Sequence, residues 1–549
     1  MFILFLIVFL LLPEYSTAHD ELAPGQTGWG KTVFQGTEAD TFGIVIIGTT
    51  STGASPSCHR ILVRLTGQQA ESTGIAAGMS GSPIYVGSEL IGALSSTFPF
   101  LDEPLGLVTP LECMLDSDDY SGSGTVSEDV YHPLGFISPG FGVETLQDLI
   151  GEIGVTSGIV HSDIQSGRIN ESTELNPGSP AAVVLVNGDW NLAALGTVTW
   201  RQGTNIAAFG HPFLGLGSVD LPLAGARITA VIPSRSLAFK IGDVGPVAGT
   251  VTFDGSNGIL ATTEREPRLL PVHIRIGKTP GSTFQLGIAV HKVITPLLIR
   301  TVLLNCFNRT RYAGSENIRV GMNAYLGAHG TRSITQMDRG PQAPARISVG
   351  LGQLIDAMMN CPLGTVDIDS LSFMVVADSI PREYWMHSVD LLPSISTGRM
   401  DSIRLRIVTI NTRGDQSIRT VAVGVPAMIS PAHMEIRIGD GPSTTEWERE
   451  RAPLKHVASR IDEYLDLIFT PWRQDRLYIQ ILVNKGSLTR REGEIDALPG
   501  SMAKVLSRSV QAGTHDYNQR SVMSRAEIPF DGPVHGSVIL HPSRGDGEK

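Results

Sequence analysis

The chain has 549 residues, too many for one ordinary core, so about two to four domains are expected. Its 60 Gly and 33 Pro, set among Val, Ile and Thr runs, favour short strands and turns over helices. A net charge of −12 with no long basic run argues against nucleic acid as a partner.

Residues 1–18 read as a signal peptide. The apolar run Met1 to Pro13 is too short to span a bilayer, and Ser16-Thr17-Ala18 supplies small residues at cleavage-site spacing. The protein is therefore expected outside the cytoplasm, periplasmic or secreted. The leading segment lacks Lys and Arg, which leaves an uncleaved anchor as the alternative. No later stretch is long and apolar enough for a stable membrane span.

Residues 19–140 form the first strand-rich unit. Thr32 to Phe34 and Phe42 to Ile47 read as strands around a polar turn, followed by Ile61 to Leu65. Ile84 to Val86 and Leu90 to Leu94 then read as a hairpin, with strands continuing to about Leu111. Several short strands at this spacing suggest a barrel or sandwich. Asp116 to Glu128 is rich in Ser, Gly and Asp and reads as a loop.

Residues 141–325 form a second unit, opening on a short helix from Val143 to Ile150. Ala181 to Val186, Ala194 to Trp200 and Ile206 to Phe209 are apolar runs separated by Asn187-Gly188-Asp189 and Arg201-Gln202-Gly203. Those separators are hairpin signals. The strands run on through Val219 to Val231, Val247 to Phe253 and Leu269 to Ile276.

Residues 326–542 read as a β-rich accessory domain with one clear helix. Ile403, Leu405 and Ile407 alternate with Arg404 and Arg406, as in a half-buried strand. Leu454, Val457, Ile461, Leu465 and Ile468 sit at helical spacing, with Pro453 suited to a first turn. Residues 543–549 are polar and read as a disordered tail. No internal repeat is evident in the sequence.

The four cysteines allow three pairings. Pairing Cys58 with Cys113 and Cys306 with Cys361 would keep each bond within one region. No Cys-x-x-Cys or His-Glu-x-x-His occurs, so neither a metal nor a cofactor is expected.

The chemistry points to Gly78-Met79-Ser80-Gly81-Ser82-Pro83, a glycine-spaced turn between apolar runs. Serine is a poor nucleophile unless the backbone presents it and a base takes its proton. Gly78 and Gly81 free the turn for dihedrals a side chain would forbid. The N–H groups of Gly78 and Ser80 could then converge as an oxyanion hole. The bland alternative is a tight β-turn.

A catalytic serine needs a histidine within hydrogen-bond reach. His211 stands out in Phe209-Gly210-His211-Pro212, where an apolar strand ends, Gly210 permits a sharp turn and Pro212 restricts the His backbone. Its bland reading is a loop histidine bonded to a carbonyl. His59 follows Cys58 in a surface turn, and His273 sits inside an alternating strand. For the orienting acid the candidates are Asp254, Asp220 and Asp40. Asp254, heading the turn after a strand of the histidine's own unit, is favoured over the other two, although an aspartate there also caps turns.

The serine loop resembles the Gly-x-Ser-Gly-x-Pro loop of chymotrypsin-like proteases, and more closely the Gly-Met-Ser-Gly-Ser-Pro loop of the SpoIVB peptidase family. The Phe-Gly-His-Pro run, Ala238-Phe239-Lys240-Ile241-Gly242, Gly249 to Phe253 and Gly258-Ile259 are similar to that family too. So are Arg64 to Pro83, Glu103 to Pro110 and Pro177 to Phe213. The resemblance covers residues 27 to about 300. It implies two chymotrypsin-like β-barrels, with Ser80 as nucleophile, His211 as base and a protein or peptide substrate. It also implies self-cleavage and a narrow substrate range. Two features depart from the family. There the histidine precedes the serine, and its aspartate lies shortly before the serine loop, where this chain has Leu65-Thr66-Gly67 and no carboxylate. The reading is an exported serine endopeptidase with Ser80, His211 and Asp254 in the site. The alternative is a catalytically silent, β-rich scaffold or binding module of the cell envelope.

Overall fold

A computed structural model describes residues 22–50, 58–116, 132, 134–153, 160–162, 174–234, 236–277, 281–309, 317–378, 380, 382–396, 400–426, 434–484, 486–490, 493–496, 498–506, 516–518 and 520–541. The expected signal peptide, the polar tail and nearly all of the loop after Asp116 lie outside these residues. The chain is mainly β, and it divides into two compact units. The first is 1–270 with 286–301, and the second is 271–285 with 302–549.

The first unit holds both barrels. Its strands are β1 (Thr27–Thr32), β2 (Asp40–Thr50), β3 (Arg60–Thr66), the short β4 (Ala76–Ala77), β5 (Ser82–Val86), β6 (Glu89–Thr97) and β7 (Leu105–Pro110). They continue with β8 (Gly135–Ile137), β9 (Val160–Ser162), β10 (Pro180–Gly188), β11 (Leu192–Gln202), β12 (Asn205–Ala208), β13 (Gly217–Ile232), β14 (Ala238–Gly255) and β15 (Gly258–Thr262). β1-β2-β3-β7-β6-β5 is a closed ring, sealed where Trp29 and Gly30 meet Tyr85 and Ile84. A second ring runs β10-β11-β12-β15-β14-β13 and is sealed by β13 against β10 at Ala181↔Gly225 and Val183↔Leu223. Closure removes the exposed edges that a six-stranded open sheet would present.

Both rings follow the same order: first, second, third, sixth, fifth, fourth. The unit is thus a topological repeat, although no repeat is legible in the residues. A barrel asks only for alternating apolar positions, which many sequences meet. In the first barrel these are Phe42, Ile44 and Ile46 on β2 with Ile61, Val63 and Leu65 on β3, all buried around Met79, Ile84 and Val108.

The expected boundary at 140/141 does not separate two compact bodies. β4, which leads into the serine loop, pairs in parallel with β14 of the other barrel, and Gly36 bridges Ile228. The Cys58–Cys113 disulfide forms and ties the start of β3 to the helix Leu111–Leu115 that follows its neighbour β7. Cys306 and Cys361 remain thiols, against the expected second pairing. Cys306 is buried on the helix Ile294–Arg309, whereas Cys361 is only partly buried in the turn after the helix Ala343–Met359.

The second unit begins earlier than the expected 326. Its strands include Asn317–Tyr325, Thr331–Arg339 and Ser370–Asp378. Two further sheets, Tyr384–Ser396 with its neighbours and Met434–Gly439 with its neighbours, share one core around Leu405, Ile407, Ile436 and Ile479. The expected helix is shorter than its apolar stripe: Pro453–His456 is a single 3-10 turn, and an α-helix starts afresh at Ile461. Glu463 accepts hydrogen bonds from the Ser459 N–H and Oγ, both 2.9 Å, which ties the residue before the Arg460 N-cap to the new helix's first turn. Two helices beyond the expected one, Ala343–Met359 and Gly441–Arg451, complete this unit's larger helices. No helix among the described residues is long and apolar enough to cross a membrane.

Candidate active site

The serine loop connects the third and fourth strands of the first ring, β3 and β5. Gly78 and Gly81 adopt φ of +95° and +93°, the left-handed conformations expected of them. At Gly81 space forbids any side chain as well, since a Cβ would lie 2.0 Å from the Thr197 carbonyl oxygen and 2.5 Å from the Phe209 nitrogen. The loop is clamped from β11. The Thr197 N–H donates to the Ser80 carbonyl at 2.7 Å, Thr197 Oγ1 to the Gly78 carbonyl at 3.0 Å and Thr199 Oγ1 to the Gly81 carbonyl at 2.8 Å. Ser80 is 1% exposed.

His211 lies on the equivalent connection of the second ring, between β12 and β13. Phe209 and Gly210 both have positive φ, +71° and +72°. For Phe209 this is a strained conformation of a kind that persists only where surroundings enforce it. They do so here. The Phe209 ring fills the space above Gly196, where a Cβ would come within 2.3 Å of it. The Gly210 carbonyl accepts from Thr109 Oγ1 at 2.5 Å and Arg60 Nη1 at 3.3 Å. The histidine is pinned at a strand end, as its neighbours Gly210 and Pro212 imply.

Its ring is fully buried and stacks on His132 with centroids 5.0 Å apart. Nδ1 is 2.7 Å from the Pro212 carbonyl, so it carries the proton and Nε2 carries the lone pair. Nε2 is buried without a hydrogen-bond partner. The ring therefore makes no hydrogen bond to Ser80. Burial, then the neighbouring His132, pushes the His211 pKa down to about 3 against the lift from the Pro212 carbonyl. His132, bonded through Nδ1 to Ser96 Oγ at 2.9 Å, is pushed down to about 4, chiefly by burial.

Asp254 does not stand behind the imidazole. Its carboxylate accepts the N–H groups of Phe213 (2.7 Å), Leu214 (2.8 Å) and Leu216 (3.1 Å), so it caps the turn that follows the histidine. Burial raises its pKa against the lowering effect of those bonds. Asp220 pairs with Arg265 at the surface, and Asp40 and His59 are exposed. His273 is exposed on the polar side of its alternating strand.

Three residues that sequence reasoning passed over complete the polar set, Arg60 and Lys240 buried and His132 partly so. Arg60 reaches Asn257 Oδ1 at 2.9 Å as well as the Gly210 carbonyl. His132 covers His211. Lys240, 2% exposed on β14, points its Nζ at Thr32 Oγ1, 2.7 Å away. Its signal was a lysine on the buried side of an alternating strand, two residues after the buried Ala238. No group of three metal-ligating side chains occurs among the described residues. Compared with family models, curated proteins and solved structures, the chain matches none.

Proposed function

We propose that this chain is an exported serine endopeptidase of the SpoIVB type, with Ser80 as nucleophile, held here with its site closed. The observation that carries the reading is the serine loop. Two left-handed glycines flank Ser80, and β11 of the second barrel clamps the turn, through the Thr197 N–H at the Ser80 carbonyl and through the Thr197 and Thr199 hydroxyls at the Gly78 and Gly81 carbonyls. A turn held so firmly around one hydroxyl is what presentation of a nucleophile requires. The N–H groups of Gly78 and Ser80 are the proposed oxyanion donors, and the substrate is a protein or peptide.

A second reading has its own support. Ser80 and His211 are almost wholly buried and share no hydrogen bond, as they would in a silent envelope scaffold whose polar residues only join two barrels. Labelling of the full chain by a fluorophosphonate separates the two. The peptidase reading expects labelling that Ser80→Ala abolishes, and intact-mass analysis of the same pair should show any self-processing. Equal labelling of both proteins refutes it.

A further inference from the structure

We propose that Lys240, rather than His211, is the base that takes the Ser80 proton, so that the site works as a Ser–Lys dyad. The proposal rests on the serine-peptidase reading above and deepens it.

Register brings Lys240 to the serine loop, beside Gly78. Ala238 and Phe239 pair in parallel with Ala76 and Ala77. Lys240 is next along β14 as Gly78 is next along the loop, two positions before Ser80. The lysine stem lies against that glycine, with Cδ 3.2 Å from where a Cβ at Gly78 would stand. A side chain at 78 would press on the stem, which gives the loop a second reason for glycine there.

The amine ends on a hydroxyl. Nζ donates to Thr32 Oγ1, and no carboxylate pairs with it among the described residues. The elements around it offer Thr32 from β1, Gly78 from the loop and Leu195 from β11 at the same glycine, none of them charged. Asp243, three residues on along β14, is the nearest acid in its own strand and does not enter its titration. An ammonium buried without a carboxylate is costly to keep charged. Burial alone lowers this one to about 7, which brings the neutral amine within reach near neutral pH. A general base works best with a pKa near the operating pH. His211, held to about 3, is a far weaker base, and the carboxylate expected to orient it is spent on the turn.

The step balances. The Nζ lone pair takes the Oγ proton as Oγ bonds to the carbonyl carbon, and the carbonyl π pair moves to oxygen. When that pair returns, the C–N bond breaks and the ammonium protonates the departing amine. Water then attacks the acyl ester, losing its proton to Nζ, and that proton returns to Oγ as the ester bond breaks. Thr32 Oγ1, by accepting one N–H, orients the amine.

The test is the rate of fluorophosphonate labelling of the full chain from about pH 4 to about pH 9. The wild type is expected to label faster as pH rises through an apparent pKa near 7 and then to level off. Lys240→Arg keeps a donor for Thr32 but has no lone pair at these pH values, so it should lose roughly 100-fold or more and the acid limb with it. Lys240→Met, of similar length, should do the same, and thermal melting verifies that both fold. Labelling of either folded variant at the wild-type rate overturns the dyad, as does a wild-type rate already level at about pH 5, the mark of a base near 3 or 4. So does loss of labelling in His211→Gln with retention in Lys240→Arg. Those outcomes leave Ser80 as nucleophile. Labelling of Ser80→Ala at the wild-type rate, or none of the wild type, fells the peptidase reading itself.

Discussion

At the scale of single residues, the buried bases make stability depend on pH in a direction that can be worked out. Lys240 falls from 10.5 to about 7 on folding. Between those values the unfolded chain holds a proton that the folded chain refuses, so stability rises as pH climbs from about 7 to about 10.5. Lys240→Met removes that dependence. At pH 6 it should stabilise by about 2 kcal/mol after the lost bond to Thr32 is counted, a gain read from urea midpoints at pH 6 and pH 10. Stability and labelling would then move in opposite directions, as when a strained group is kept for function. His132 and His211 fall from 6.5 to about 4 and about 3. Stability is therefore lost as pH drops below 6.5, each histidine contributing up to about 1.4 kcal/mol per pH unit. His211→Gln should flatten that acid slope in denaturation curves. Asp254→Asn tests the turn cap. Losing a carboxylate that accepts three backbone N–H groups should cost about 2 kcal/mol. The labelling rate should fall far less than the ~10⁴ expected of an orienting acid.

At the scale of elements, the serine loop and the histidine turn are built against each other. A Cβ at Gly81 meets backbone at 2.0 Å and 2.5 Å, with φ at +93°. Gly81→Ala should destabilise by about 3 kcal/mol or more in urea unfolding, because neither Thr197 nor Phe209 can withdraw without opening β11. Much of this layer was legible. The hairpin after Pro83, the strand ending at His211 and the short helix beginning at Val143 all follow from local periodicity and turn residues. The stripe from Leu454 to Ile468 misled, since apolar spacing runs straight through Val457 while Ser459 and Glu463 restart the helix there. The left-handed Phe209 was not foreseeable either. It is paid for by the gap above Gly196, which lies on another strand.

At the scale of the whole molecule, the first unit is two rings of one strand order joined through the serine loop, and a disulfide closes a 55-residue span of it. Replacing Cys58 and Cys113 with Ser should cost that unit about 3 kcal/mol, with tryptophan probes confined to the second unit unchanged across the same urea titration. By itself the sequence determined the mainly-β class, most strands of both barrels, the glycine conformations around Ser80 and the pinned backbone of His211. Each depends on alternation or on dihedral limits that neighbouring residues impose. Only tertiary structure decided which side chains meet. It sent Asp254 to the turn after His211, left Cys306 and Cys361 as thiols, and laid Lys240 beside Gly78 from 162 residues away. The physical reason is that such meetings are set by the register between distant strands, and a shift of one position turns every side chain to the opposite face.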